Sequence, residues 1–315
     1  MLTSHCGRLF IEYWQLLSVL LQVNVARGQP FSAVASVIRV TVLNLYDELV
    51  FLPCLIGGSP AASYLAEMLW PLVMLLLLVV IATLDRLLRP SGTHSWAAVV
   101  NTGGMLLTSL FTSVTLSATM PLRCFDQPNG QRHLVAHPEI ACSSDGSHAA
   151  MLGVMIVAII AYPVGILCLC CAVIESHNRK LLLDGTFMAK YRFIFGRWHR
   201  TCYWYQLPRL LRSFIAATCT SMVNYNEPST QILLLTFILM GSLALQLRVR
   251  PWRLQILNDI DAALAASLLV LLSIMATSTA GPPSPTLRYP CLVRSPYPPS
   301  FHAYPPTRTC PFARD

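Results

Sequence analysis

Long apolar runs separated by short charged segments dominate the hydrophobic pattern of this chain. The clearest run covers residues 64–84; it contains Glu67 near its start and is unbroken from Leu72 to Thr83. A helix needs about 20 predominantly apolar residues to cross the hydrocarbon core of a bilayer. Similar runs cover residues 95–119, 149–174, 230–247 and 258–280. The pattern therefore predicts an all-α, polytopic transmembrane helix bundle.

Two more runs carry charged or amide side chains but are long enough to span. One run covers residues 9–25. The other ends near Val223 and must begin near Tyr203 to be long enough to cross, so Arg212 lies within the helix. At about 1.5 Å per residue, Arg212 lies on the order of 13 Å along it. A buried arginine is costly unless it snorkels or is paired. Because Asp261 opens the last run near the same membrane face, we predict an Arg212–Asp261 ion pair and about seven spans.

Three regions follow from this pattern. Residues 1–63 comprise the first membrane helix and a second segment whose apolar residues recur at three- and four-residue steps from Phe31 to Leu49. That spacing fits an amphipathic helix lying in the headgroup region, and it fits a packed helix between spans equally well. Residues 64–280 form the bundle. Residues 281–315 hold 10 of the 22 prolines and are predicted to be a disordered tail.

Composition supports a membrane protein and argues against a nucleic-acid partner. Of 315 residues, 55% are hydrophobic and 11% are charged, and the mean hydropathy is +0.57. An average soluble domain has roughly 25% charged residues. The net charge of +8 comes from basic residues that flank the apolar runs. If the N-terminus lies inside, the inner segments hold 14 basic residues and the outer segments hold four, and another four lie in the tail. An excess of basic residues on the inner side is typical of membrane proteins. We therefore expect an integral multi-pass protein of the plasma membrane or an endomembrane.

The longest polar loop, residues 120–148, lies outside in this arrangement and carries Cys124 and Cys142. A disulfide is the simplest prediction for two cysteines in an outer loop if the compartment is oxidising. The histidines of the loop make a Cys/His zinc site conceivable, but their spacing matches no strong zinc pattern. We predict the disulfide, and neither a metal nor a cofactor.

Two sets of polar residues are candidates for function. Ser109, Ser113 and Ser117 lie four apart in the third span, so they would share one helix face. Small hydroxyl residues usually permit close helix packing, and a hydrated pathway that includes Glu67 is the alternative. In the inner loop, the basic side chains could contact anionic lipid or a partner, although setting the topology is the simpler role. These basic side chains are Arg192, Arg197 and Arg200.

A resemblance rests on cysteine, proline, aromatic and basic residues in a fixed order along the chain. They are Tyr13, Gln15, Cys124, Pro138, Cys142, His148, Tyr162, Gly165, Tyr191-Arg192-Phe193-Ile194-Phe195, Tyr203-Trp204, Arg209-Leu210-Leu211-Arg212, Pro228-Ser229-Thr230-Gln231, Arg250-Pro251-Trp252 and Asn258, with Leu-Pro-Cys at residues 52–54. In this order the chain resembles the multi-span, TRP-like membrane region of large protist surface proteins with cysteine-rich, EGF-like or ephrin-receptor-like ectodomains. The sequence departs from them in lacking that ectodomain, so we expect a fragment or a shortened paralogue.

The resemblance implies a membrane-embedded module, a cation channel or a sensor, without assigned site residues. Motifs for phosphate loops, serine hydrolases and zinc proteases are absent from the sequence, so we do not expect an enzyme. We favour a TRP-like cation channel or transporter module. The alternative is the membrane anchor or signalling region of an orphan surface receptor without transport activity. The lipid bilayer is the one expected partner, and the sequence does not indicate an oligomeric state.

Overall fold

The computed structural model describes residues 2–23, 59–88, 96–127, 130–142, 146–179, 185–199 and 201–279. The predicted amphipathic helix within residues 31–49, the Pro-rich tail over residues 281–315 and Arg200 lie outside this part of the chain. Within it, helices predominate and one short β-hairpin occurs, which confirms the all-α fold.

Eleven α-helices lie in the described residues. They are α1 (Leu2–Leu20), α2 (Pro60–Leu88), α3 (Trp96–Ser109), α4 (Phe111–Ala118), α5 (Gly146–Ile159), α6 (Gly165–Arg179), α7 (Gly185–Lys190), α8 (Arg192–Phe195), α9 (Gln206–Met222), α10 (Pro228–Val249) and α11 (Gln255–Thr279). A π-helical turn, Ile160–Val164, joins α5 to α6, and 3-10 turns cover Met120–Leu122 and Tyr203–Tyr205. Pro163 lies inside the π-helical turn, where the wider winding accommodates a residue that has no N–H to donate.

Four helical segments in the described residues are long and apolar enough to cross a membrane. They are α2, the continuous α5–α6 unit over residues 146–177, α10 and α11. A fifth is formed if α3 and α4, which are bent by 53° at their junction, are one broken span. Of the seven predicted spans, neither α1 nor α9 is both long enough and apolar enough to cross a membrane. The apolar part of α1 is short, and α9 is short and polar. The structure thus confirms several helices that are long and apolar enough to span a membrane, and the number seven stays a prediction.

The two less apolar helices lie inside the bundle, and the most apolar ones lie outside. α1 packs against α4, α9 and α11, and its Val19 is fully buried. In contrast, Leu76 of α2 is 64% exposed, and few residues in the apolar stretch of that helix are buried. A helix surrounded by protein can carry polar groups that a lipid-facing helix cannot. This explains why α1 and α9 hold charged residues.

The bundle has two distinct ends. At the disulfide end, strands β1 (Cys124–Asp126) and β2 (Arg132–Leu134) pair antiparallel, with Cys124 opposite Leu134. The predicted disulfide between Cys124 and Cys142 is confirmed. At the opposite end, named here the tryptophan end, the segment before α9 meets the α10–α11 turn through an isolated bridge between Trp198 and Trp252.

Candidate functional site

A buried ion-pair network lies at the tryptophan end of α1. Glu12 accepts a hydrogen bond from Arg197 Nη1 at 2.8 Å through Oε1, and Arg209 Nη2 pairs with its other oxygen, Oε2. The side chains of Arg197 and Arg209 are 2% and 6% exposed, and that of Glu12 is 18% exposed. One carboxylate therefore binds two arginines from different segments and fixes α1 to both.

Two tryptophans enclose the guanidinium group of Arg209. Its central carbon lies 5.4 Å from the ring centre of Trp198 and 5.2 Å from that of Trp252. The two rings are 4.8 Å apart and tilted by 50°. A cation at such distances is attracted to the indole faces, and the attraction is larger when water is excluded. The tryptophans thus stabilise a charge that the interior would otherwise disfavour.

The α10–α11 turn holds Trp252 in place. α10 ends at Val249, and the left-handed conformation of the next residue, Arg250 (φ 45°), turns the chain back toward α11. The amide N–H of Trp252 donates to Asn258 Oδ1 at 3.1 Å, and Asn258 Nδ2 donates to the Trp252 carbonyl at 3.3 Å. Trp252 Nε1 donates to Asp261 Oδ2 at 2.8 Å. The first turns of α11 therefore position the ring that covers Arg209.

A small cavity adjoins this network between α1, α9, α10 and α11. Its polar lining comprises Glu12, Tyr13, Arg209, Arg212 and Asp261, and leucines and an alanine form the rest. The volume is about 10 Å³, about the room that one water molecule needs. The cavity joins four helices around charged side chains, which makes it the best candidate for a binding site in the described structure.

The predicted Arg212–Asp261 ion pair does not form in the structure, although both side chains line this cavity. Arg212 Nη1 donates instead to Ser242 Oγ at 3.1 Å, and Asp261 accepts from Trp252. The ion pair forms one turn earlier on α9, at Arg209, with Glu12 as its acidic partner. In the sequence, Glu12 was visible only as an interruption of an apolar run.

Several guanidinium N–H groups of the network are buried without a hydrogen-bond acceptor among the described residues. They are Nε and Nη1 of Arg209, Nε of Arg212 and Nε of Arg197. Burial lowers the pKa of Arg197 to about 10, which still leaves it protonated at neutral pH. The network and cavity together contain three arginines and two carboxylates, Glu12 and Asp261. The cluster therefore has surplus positive charge and surplus donors.

The three serines of the predicted pathway do not share one helix face. α3 ends at Ser109 and the chain bends by 53° before Phe111, so only Ser113 and Ser117 lie on the same helix, α4. Both are partly buried there, and Ser113 Oγ is buried without a partner in the described part of the chain. The Ser109 carbonyl accepts a hydrogen bond from Gln15 Nε2 of α1.

Threonines, rather than these serines, form the buried hydroxyl face of α3 and α4. They are Thr108, Thr112, Thr115 and Thr119, all less than 9% exposed. Their spacing of four, three and four residues is a helical period, and it was the signal in the sequence that could have identified them. Thr115 donates to the Phe111 carbonyl at 2.7 Å, and Thr119 Oγ1 lies 2.8 Å from Ser221 Oγ of α9.

The remaining predicted site residues lie apart from the cavity. Glu67 is on α2, one turn from Tyr64, whose hydroxyl donates to the Ala118 carbonyl at 2.8 Å, near the disulfide end. Of the basic loop residues, Arg192 is exposed and remains available to a lipid or partner. Arg197 is buried against Glu12, so its side chain is not accessible to a lipid or a partner.

His148 lies beside the disulfide, and one of its ring nitrogens is within 4.8 Å of both sulfur atoms. His148 Nε2 is also 3.1 Å from the Pro121 carbonyl oxygen. Because the two sulfurs are bonded to each other, they provide no thiolates for a metal ion. The structure thus forms the disulfide from the cysteines that the zinc alternative would have used.

The fold and the buried charge network define an α-helical, membrane-embedded protein. Comparison with known proteins adds no closer assignment: no family model, no curated protein and no solved structure matches the chain.

Proposed function

We propose that the protein is a membrane transport protein, a channel or a transporter, whose pathway follows the contact between α1, α4 and α9. The observation that carries the proposal is a series of polar side chains along this contact, from one end of the bundle to the other, all buried except the partly buried Glu12. In order from the tryptophan end they are Arg209, Glu12, Gln15, Ser213, Thr112, Thr115, Thr220, Ser221 and Thr119.

Polar groups are expensive inside a membrane and, where they face the interior of a bundle, mark substrate pathways. α1 and α9 carry such groups although the surrounding helices are strongly apolar. We further propose that α1 and α9 cross the bilayer, which gives seven spans with the N-terminus inside. The pathway then replaces the one through Glu67 and the three serines.

The described structure would correspond to a closed state. The Glu12–Arg209 ion pair lies across the tryptophan end, and the Thr119–Ser221 contact lies across the disulfide end. Opening would require α1 or α9 to move, because the contact between them is packed with side chains. The ion pair is therefore the proposed inner gate.

The test is ion flux into liposomes that contain the purified protein. Thr115→Val and Thr220→Val remove hydroxyls from the proposed pathway while keeping the side-chain shape. Thr218→Val is the matched control, because Thr218 also donates only to carbonyls of α9 but is less buried. We expect flux above that of empty liposomes, a several-fold reduction in each pathway variant and no change in the control. Wild-type flux equal to that of empty liposomes would contradict the proposal.

A second candidate function is the membrane anchor or signalling region of a surface receptor. It is favoured by the hydrogen bonds of the interior hydroxyls: Thr115 and Thr220 donate to carbonyls of their own helices and need no water. Close helix packing alone then explains the polar series. The resemblance to TRP-like regions of surface proteins is compatible with either candidate, and Arg192 remains the proposed contact for anionic lipid. Neither candidate is an enzyme.

A further inference from the structure

We infer that the cavity between α1, α9, α10 and α11 binds a monovalent anion of halide size. The proposal concerns equilibrium binding at one site, so it stands whether or not the protein transports ions. It rests on three properties of the site: donors that lack an acceptor, surplus positive charge and a small volume.

The groups without partners around the cavity are all donors. Arg209 contributes Nε and Nη1, and Arg212 contributes Nε; none of the three has an acceptor among the described residues. Arg209 is 94% buried, since its side chain is 6% exposed, so bulk water does not satisfy these groups. A buried donor without an acceptor destabilises the folded state, and more so when the group is charged. The site therefore requires an acceptor.

The acidic residues at the cavity do not provide it. Both oxygens of Glu12 are engaged, one by Arg197 and the other by Arg209. Asp261 Oδ2 accepts the indole N–H of Trp252 at 2.8 Å, and neither oxygen of Asp261 binds an arginine among the described residues. The cavity lining holds two arginines and two carboxylates. Arg197, bound to the other oxygen of Glu12, brings the buried cluster to three arginines and two carboxylates, so the cluster carries one surplus positive charge. A bound monovalent anion would accept from the free donors and cancel this charge in one step.

The size of the cavity indicates which anions fit. Its volume of about 10 Å³ corresponds to roughly one water molecule, and a halide ion is larger, so the lining must move to admit it. Arg212 is only partly buried and can shift to admit it. A phosphate or sulfate group, with five heavy atoms, would have to separate the helices. The leucines that complete the lining suit a weakly hydrated ion better than a strongly hydrated one.

The first test measures thermal unfolding of the purified full chain in a neutral detergent, in sodium chloride or sodium gluconate at equal ionic strength. Gluconate is too large for the cavity. We expect chloride to raise the unfolding midpoint in a saturable manner relative to gluconate, because a ligand that binds only the folded state stabilises it. Equal midpoints in the two salts, which would be the result if water alone occupies the cavity, would overturn the proposal.

A variant then assigns the site. Arg212→Gln removes one charged donor, and we expect the halide to bind about tenfold more weakly, the equivalent of one charge-assisted hydrogen bond. Arg248→Gln is the control, because Arg248 is an exposed arginine in the last turn of α10, at the same end of the bundle. Unchanged affinity in Arg248→Gln supports the proposal. An equal loss in both variants would mean that halides act on exposed charges, and the proposal would fail.

Discussion

Glu12 of α1 and Arg209 of α9 form an ion pair in the interior of the helix bundle, with Arg197 as a second cation on the same carboxylate. The three residues come from the first helix, the segment before α9 and α9 itself, and Glu12 is separated from Arg197 by 185 positions in the sequence. Burying a charge costs desolvation energy. The two buried arginines are therefore tolerated only while the Glu12 carboxylate is present. The pair therefore makes the position of α1 depend on a single carboxylate.

Replacing Glu12 with glutamine should destabilise the protein strongly. The change leaves Arg197 and Arg209 without a counter-charge in the interior, and breaking a buried pair in this way costs about 3–5 kcal/mol. The measurement is the free energy of unfolding in a neutral detergent. Glu139→Gln is the control, since the Glu139 side chain is 61% exposed and its ion pair with His137 is worth about 1 kcal/mol or less. A Glu12→Gln variant as stable as the control would show that the ion pair is not formed.

Replacing Trp252 with phenylalanine should lower stability by about 1–3 kcal/mol, because the buried Asp261 carboxylate loses the indole N–H that binds it. The ring position and most of the packing are kept. Trp204→Phe is the matched control: Trp204 is 40% exposed and is not part of the Arg209 enclosure. Similar losses in the two variants, measured by denaturant or thermal unfolding, would mean that the Asp261 hydrogen bond contributes nothing.

The sequence predicted the apolar architecture well, because that depends on local composition. The runs that became α2, α5–α6, α10 and α11 were each readable from length and hydropathy alone, and the Cys124–Cys142 disulfide followed from two cysteines in one polar loop. The bend between Ser109 and Phe111 was not readable, since no proline or glycine marks it. The bend separates Ser109 from Ser113 and Ser117, although the three serines form a continuous pattern in the sequence.

The charge network was only partly predictable, because its partners come from distant positions. The sequence indicated that a buried arginine in α9 needs an acidic partner, and it offered Asp261 for Arg212 by depth alone. Depth places two residues at one level of the membrane but does not say which faces meet. In the structure, α1 lies between α9 and α11, and Glu12 reaches Arg209 first. Trp198 and Trp252 enclose the guanidinium group of Arg209, and no local sequence motif indicated this arrangement.

Removing the disulfide should destabilise the disulfide end of the bundle. The loop between Cys124 and Cys142 spans 18 positions, for which the chain-entropy estimate is about 3 kcal/mol. We expect the Cys124→Ser, Cys142→Ser double variant to unfold at a lower temperature than the wild type. A reducing agent should lower the wild-type midpoint to the same value.

The control for this prediction is Cys168→Ser, because Cys168 is a free and exposed cysteine. It should leave both the midpoint and its sensitivity to reductant unchanged. A double variant whose midpoint equals that of the wild type would contradict a stabilising disulfide in the folded protein.

Adding a methyl group at Gly104 should separate α8 from α3. A Cβ at this position would collide with the ring of Phe193, which is buried against the α3 backbone. We expect Gly104→Ala to cost about 1–3 kcal/mol through overpacking. Gly153→Ala is the matched control, because a Cβ there meets nothing within 4 Å, and helix propensity alone should make it neutral or slightly stabilising.

A double-mutant cycle tests whether the collision is the cause. Phe193→Leu shortens the side chain that would meet the new methyl group, so the double variant should recover part of the stability that Gly104→Ala loses. The coupling energy between contacting positions is typically about 0.5–3 kcal/mol, whereas independent positions add. Additive effects in the unfolding free energies would mean that α8 does not pack on α3 at Gly104. Because Arg197 follows α8 by two residues, loss of this contact should also weaken the Glu12 ion pair, and a combined Gly104→Ala, Glu12→Gln variant should be less destabilised than the sum of its parts.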